Sequence, residues 1–95
     1  MHFDWDQEKN QWLEAERGIS FEEIISLIDS GHLRVVLSHP KRIDQKIFII
    51  ERDGYAYNVP FVEQKNGTCF LKTIYPSRVS TRKHLGDENE KNSSR

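Results

Sequence analysis

Lys46-Ile47-Phe48-Ile49-Ile50-Glu51-Arg52-Asp53-Gly54-Tyr55-Ala56-Tyr57 is the stretch that decides the fold. Residues 47–50 are apolar at both parities, so an extended chain here buries side chains on both faces, as a central strand covered on each side does. Asp53-Gly54 supplies two residues that tolerate positive φ, the chemistry of a tight hairpin turn. The chain is thus predicted to reverse and run on as a second strand from Tyr55 to Val62. Pro60 has no N–H for a ladder, which predicts an edge strand or a bulge near Asn58-Val59-Pro60.

Before this hairpin, Leu33, Val35 and Leu37 alternate with His32, Arg34, Val36 and Ser38, predicting a strand with one apolar face and Arg34 on the other. His39-Pro40-Lys41-Arg42 closes it. After the hairpin, Asn66-Gly67 predicts a second reversal into a strand over Thr68 to Tyr75. Further upstream the period is helical. Ser20-Phe21-Glu22-Glu23 has capping-box spacing, and Phe21, Ile24, Ile25 and Ile28 form one stripe until Ser30-Gly31. An earlier helix, capped by Asp4 or Asp6, runs to about Arg17 and stops at Gly18, with Trp12 and Leu13 on its buried side. Phe3-Asp4-Trp5 reads as a short edge strand ahead of it. At the other end, Pro76-Ser77 opens a short last helix, capped by Ser77 and ending near Leu85-Gly86. The expectation is an α+β fold: two N-terminal helices packed on a roughly four-stranded antiparallel sheet, with a short C-terminal helix. Residues 1–86 form a single domain, and residues 87–95, with no apolar side chain, form a polar disordered tail.

The composition excludes several function classes. No apolar run approaches the ~20 residues that span a bilayer, and Met1 to Asp6 lacks the layout of a signal peptide, so a cytoplasmic protein without membrane association is expected. Cys69 is the only cysteine, which rules out an internal disulfide and reads as a buried structural thiol. His2, His32, His39 and His84 show no zinc-type ligand pairs, and glycine-rich phosphate loops are absent, so no metal and no cofactor is expected. The net charge of −1 hides a segregation. Residues 1–31 carry eight carboxylates against Lys9 and Arg17, whereas residues 32–85 carry ten Lys/Arg against Asp44, Glu51, Asp53 and Glu63. Such a split is consistent with a basic face for a polyanion and equally with a solvated surface.

Two stretches carry a resemblance. Phe3-Asp4-Trp5-Asp6-Gln7-Glu8-Lys9-Asn10, followed by Arg17-Gly18-Ile19-Ser20-Phe21-Glu22-Glu23, resembles the opening of BrnT-type toxins of bacterial type II toxin–antitoxin systems. Pro76-Ser77-Arg78-Val79-Ser80-Thr81-Arg82-Lys83 is similar to that family's closing segment. One extra residue near Tyr75-Pro76 places the family's arginine on Arg78 and its threonine on Thr81; without it the arginine falls on Ser77. Arg17 stands where the family has histidine, and His84 where it has a late acidic residue. The resemblance implies a small RelE-like ribonuclease toxin fold, RNA as substrate, and an antitoxin with which the toxin assembles into an oligomer.

The residues themselves fit that chemistry. Metal-free RNA cleavage needs a base for the 2′-hydroxyl, a cation for the charging phosphate and an acid for the leaving oxygen. Arg78 and Arg82, four apart, would share a helix face and present bidentate forks to phosphate oxygens. Lys83 adds charge or a base, and His84 an imidazole able to move a proton either way. These four are the expected catalytic set. Arg34, Arg52, Lys72 and Tyr75 are the expected RNA-binding set, gripping flanking phosphates or stacking on bases. A cationic last turn is also what a solvated helix end looks like, since cations favour the dipole there. Trp5 and Trp12 read as core or lid residues, Lys9 as a local salt-bridge partner, and Tyr55 with Tyr57 as packing on one strand face. Two other functions suit the same residues: a non-catalytic module docking an acidic partner or nucleic acid, and a ParE-like poison of a protein target.

Overall fold

The computed structural model describes residues 1–86, and the expected tail lies outside the described residues. Strand β1 (His2–Trp5) leads through Asp6 into helix α1 (Gln7–Arg17), and Asp6 accepts a hydrogen bond from the Glu8 N–H as the N-cap. Gly18 ends α1 with φ 67°, the left-handed conformation that glycine adopts without a Cβ clash. Helix α2 (Phe21–Asp29) starts at Ser20, whose Oγ accepts from the Glu23 N–H at 3.2 Å. The reciprocal half of the capping box is not made. Glu23 instead turns its carboxylate to Arg52 at 2.7 Å, a charged partner that a backbone N–H does not outbid.

Strands β2 (Leu33–Ser38), β3 (Gln45–Arg52), β4 (Tyr55–Glu63), β5 (Thr68–Leu71) and β6 (Tyr75–Pro76) follow, then helix α3 (Arg78–His84). The turn between β3 and β4 has φ 54° at Asp53 and φ 81° at Gly54, as the type I′ geometry requires. The sheet has six strands and is mixed, not four-stranded and antiparallel. Its order is β1-β5-β4-β3-β2, with β6 on β4. The extra strands arise because β1 pairs in parallel with β5, His2 against Thr68, and because the predicted last strand breaks after Leu71 and restarts at Tyr75. Parallel pairing between the two ends of a chain leaves no turn signature in the sequence.

β4 is central, which corrects the edge expected at Pro60; the irregularity expected there is present on the partner side, where two residues of β4 (59 and 60) face three of the connection between β5 and β6 (72–74). The Pro60 carbonyl accepts from Lys72 N–H at 2.8 Å, so its missing N–H also points away from β3, into the gap between β5 and β6. The ladder to β3 therefore loses nothing. β2 also departs from simple alternation. A register shift between Leu33 and Val35 sets Leu33 opposite Ile50 but Val35 opposite Ile49, placing these two apolar residues on opposite faces.

The two faces hold separate cores. On one, Leu13, Ile19, Phe21 and Ile24 of the N-terminal helices and their connection pack on Phe48, Ile50, Val59, Phe61, Leu71 and Ile74. On the other, Ile47, Ile49 and Ala56 pack with Leu85, just past α3. The doubly apolar β3 thus sits between layers as its sequence predicts. Trp12 does not join the core. It is 45% exposed, with Lys9 Nζ 4.6 Å and Arg17 Cζ 5.0 Å from its ring, so Lys9 makes a cation–π contact instead of the expected salt bridge. Leu13 alone fills the buried position there, and Trp5 packs beside Phe21 at 5.7 Å. Among the described residues no helix is long and apolar enough to cross a membrane.

Candidate functional site

Helix α3 begins where β6 ends, so its position is set by backbone pairing. Ser77 N–H donates to the Ala56 carbonyl at 2.9 Å, continuing the β4–β6 contact by one residue, and Ser77 Oγ caps the helix by accepting from Ser80 N–H. Thr81, one turn on, accepts the Ala56 N–H at Oγ1 (2.9 Å) and donates to the Ser77 carbonyl (2.7 Å). Both outward backbone groups of Ala56 are therefore satisfied by the helix. Leu85 supplies the apolar anchor, worth about 2 kcal/mol if fully buried.

This stitching turns Arg78, Arg82 and Lys83 to solvent, and among the described residues none of the three forms an ion pair. His84 is half-buried, with Nε2 covered and without a hydrogen-bond partner among the described residues. Asn58 lies on the same face of β4 as Ala56. Its Nδ2 donates weakly to Tyr75 Oη at 3.4 Å, and its Oδ1 is buried without a partner among the described residues. Tyr75 sits opposite Asn58 in the β4–β6 pair and so shares the α3 face of the sheet. Lys72 is exposed and lies over the Phe70 ring at 5.4 Å.

The other two expected RNA-binding cations are placed apart from this group. Arg52 faces the N-terminal helices: Nε contacts Glu23 at 2.7 Å, Nη2 donates to the Gly18 carbonyl and Nη1 to Tyr57 Oη. It ties α1 and α2 to the sheet. Arg34 lies on the outer strand β2 and approaches Glu51 at 3.6 Å. Glu51 is held below its ordinary value by the Gly54 N–H and by His32, with a smaller contribution from Arg34. Tyr55 and Tyr57 meet edge to face, as expected, and Arg52 adds a cation–π contact to Tyr57. The Cys69 thiol is buried, and burial, with Glu63 nearby, pushes its pKa up, so it is a poor nucleophile.

Sequence reasoning missed two positioning residues. Thr81 carried a motif match but no structural reason, because its partner Ala56 is 25 residues away. Asn10 had no signal at all beyond its polarity at an inward helical position. It is buried, accepting the Phe21 N–H at Oδ1 and donating to Glu22 at Nδ2, both at 2.7 Å.

Among the described residues, a six-stranded mixed sheet with two helices on one face and a short cationic helix on the other is a fold that this chain shares with a solved bacterial protein. The match is to the 1.1 Å crystal structure of the Brucella abortus ribonuclease toxin, BrnT, with a TM-score of 0.60 and 20% sequence identity, covering 81% of this chain and 96% of that one. No family model matches the sequence, and no curated protein matches it.

Proposed function

We propose that the chain is the toxin of a type II toxin–antitoxin pair, a metal-independent endoribonuclease that arrests growth and is neutralised by a partner antitoxin. The observation that carries this reading is the contrast in cation use. Arg34, Lys46 and Arg52 have carboxylate partners, while Arg78, Arg82 and Lys83 have none among the described residues; Lys41, Arg42 and Lys72 also lack one, but only the α3 group puts three exposed cations on one short helix. Cations left unneutralised beside Tyr75 suit an anion brought from outside. The likeness to a ribonuclease toxin fold names RNA as the anion to test first.

In this reading the RNA 2′-oxygen attacks the adjacent phosphorus as its proton passes to a base, and the P–O5′ bond breaks as O5′ takes a proton. The products are a 2′,3′-cyclic phosphate and a 5′-hydroxyl. Arg78 and Arg82 hold the equatorial oxygens as charge builds on them. Lys83 and His84 are assigned the proton exchanges, and with Nε2 covered His84 would have to act through Nδ1. Lys72 and Tyr75 bind the flanking strand. Induction of the protein alone, with 5′-hydroxyl ends mapped across total RNA, tests it. New ends from the parent, reduced at least about 100-fold in an Arg78→Ala/Arg82→Ala variant, are expected; parent-level cleavage by that variant would remove α3 as the site.

The buried Nε2 of His84 favours one second reading, in which α3 docks an anion without cutting it. Salt-dependent RNA binding with no new ends would select that reading.

A further inference from the structure

The outer strand β2 is open along one side, and its hydrogen-bonding phase is determined. His39 N–H donates to the Gln45 carbonyl at 3.1 Å, and in this register Leu37 stands opposite Ile47 and Val35 opposite Ile49, the same class of pair. The backbone groups of Val35 and Leu37 therefore turn inward to β3, and those of Val36 and Ser38 turn outward with no strand beyond them among the described residues. The side chains along this edge are apolar and uncovered: Val36 is 44% exposed, Leu37 36%, and Ile43, in the loop that follows, 104%. That loop is braced from within, since His39 Nδ1 accepts the N–H groups of both Lys41 and Arg42.

Around these residues the charge has one sign. Arg34, Lys41, Arg42 and Lys46 lie on β2, in its loop and at the start of β3; Arg34 is paired with Glu51 and Lys46 with Glu63, and Asp44 is the one carboxylate in the loop itself. Lys41 and Arg42 have no ion-pair partner among the described residues. An open edge with apolar flanks ordinarily invites self-pairing. Here a second copy of β2 would set basic residues against basic residues.

We infer that β2 is a docking edge for an extended acidic segment of a partner protein, which adds as a further strand through Val36 and Ser38, seats apolar side chains on Val36, Leu37 and Ile43, and pairs carboxylates with Lys41 and Arg42. Main-chain bonds give such an addition its affinity, and alternate side chains its specificity. The inference specifies a surface for the partner in the toxin reading and rests on that reading for the partner's existence. Its test measures binding alone, so a protein that cuts RNA with an inert β2 edge, and one that binds strands but cuts nothing, are distinguishable.

The probe is a capped seven-residue peptide alternating glutamate and valine, titrated to about 1 mM, a weak but specific range for a short strand. Expected are protection of the Val36 and Ser38 amides from hydrogen exchange and weakening as salt screens the pairs. Ser38→Pro removes an outward N–H and leaves the β3 ladder intact, so it should weaken binding at least about tenfold with the melting temperature nearly unchanged. Val36→Pro, which removes the other outward N–H, serves if Ser38→Pro perturbs the fold. Lys41→Glu/Arg42→Glu should abolish the preference over a lysine-valine peptide. Equal binding of that basic peptide to the parent protein, protection of the same amides by single-stranded RNA, concentration-dependent self-association lost in Ser38→Pro, or no protection at the highest concentration would each overturn the inference.

Discussion

Asn10 shows how much one polar side chain can hold at this size. It is 5% exposed and joins the middle of α1 to the first turn of α2 through two short hydrogen bonds. Asn10→Leu keeps the branched shape but leaves the buried Phe21 N–H without an acceptor, an expected loss of about 2 kcal/mol, read by denaturant unfolding. The same substitution removes the Asn10 hydrogen bond that, as the largest cause, holds Glu22 below its ordinary value. Glu22 and Glu51 both have lowered folded-state values, starting from 4.5. A depressed carboxylate stabilises the fold above its unfolded value and gives up that contribution as pH falls through the folded one. Melting temperature should therefore decline as pH drops below about 4.5, and Glu51→Gln should flatten the decline. An equally steep acid limb in Glu51→Gln would show that Gly54 and His32 do not couple to the fold through this carboxylate.

At the scale of elements, α3 is the piece with the smallest apolar hold. Seven residues long, it is fixed by Leu85, by Ser77 on Ala56, and by the two bonds of Thr81. Thr81→Val preserves shape and removes both bonds, so the buried Ala56 N–H loses its acceptor. The expected cost is about 1–2 kcal/mol, with faster hydrogen exchange confined to Ala56 and α3. RNA cleavage should fall with it, because Arg78 and Arg82 ride on this helix. Full cleavage by a variant with a loosened α3 would mean that the helix need not be held for chemistry. β4 and β2 make a related point. Pro60 is silent at the centre of the sheet because its missing donor faces a gap, and the bulge at Arg34 gives both cores an apolar contact from one strand.

For the whole molecule, closure depends on β1. Residues 2–5 pair with residues 68–71, so the N-terminus completes the sheet across some of the longest sequence separations in the described chain. Phe3 and Trp5 also pack against the main core. Removing residues 1–5 should cost about 3 kcal/mol or more from the two aromatic side chains alone. It should also bare β5, where Cys69, 6% exposed, stands opposite Phe3. Thiol labelling of Cys69, slow in the full chain, should then accelerate by at least about tenfold; unchanged labelling would show that β1 is not part of the closed sheet.

Much of this was legible locally. The helix limits at Gly18 and Ser20, the Asp53-Gly54 reversal, the doubly buried β3 and the Ser77 cap are each dictated by residues within a few positions of one another. Helical spacing likewise sets Arg78 and Arg82 on one face of α3, whereas His84 turns partly inward. What the tertiary structure alone decided are relations between distant segments: β1 lying parallel to β5, Arg52 drawn to Glu23 on the opposite face from α3, Trp12 left outside a core that Leu13 already fills, and Ala56 holding Thr81. Short-range chemistry selects elements, because caps, turns and periodicity act over a turn or two. Partner choice between elements depends on which unsatisfied backbone groups and charges meet once the sheet has closed, and no stretch of sequence encodes that by itself.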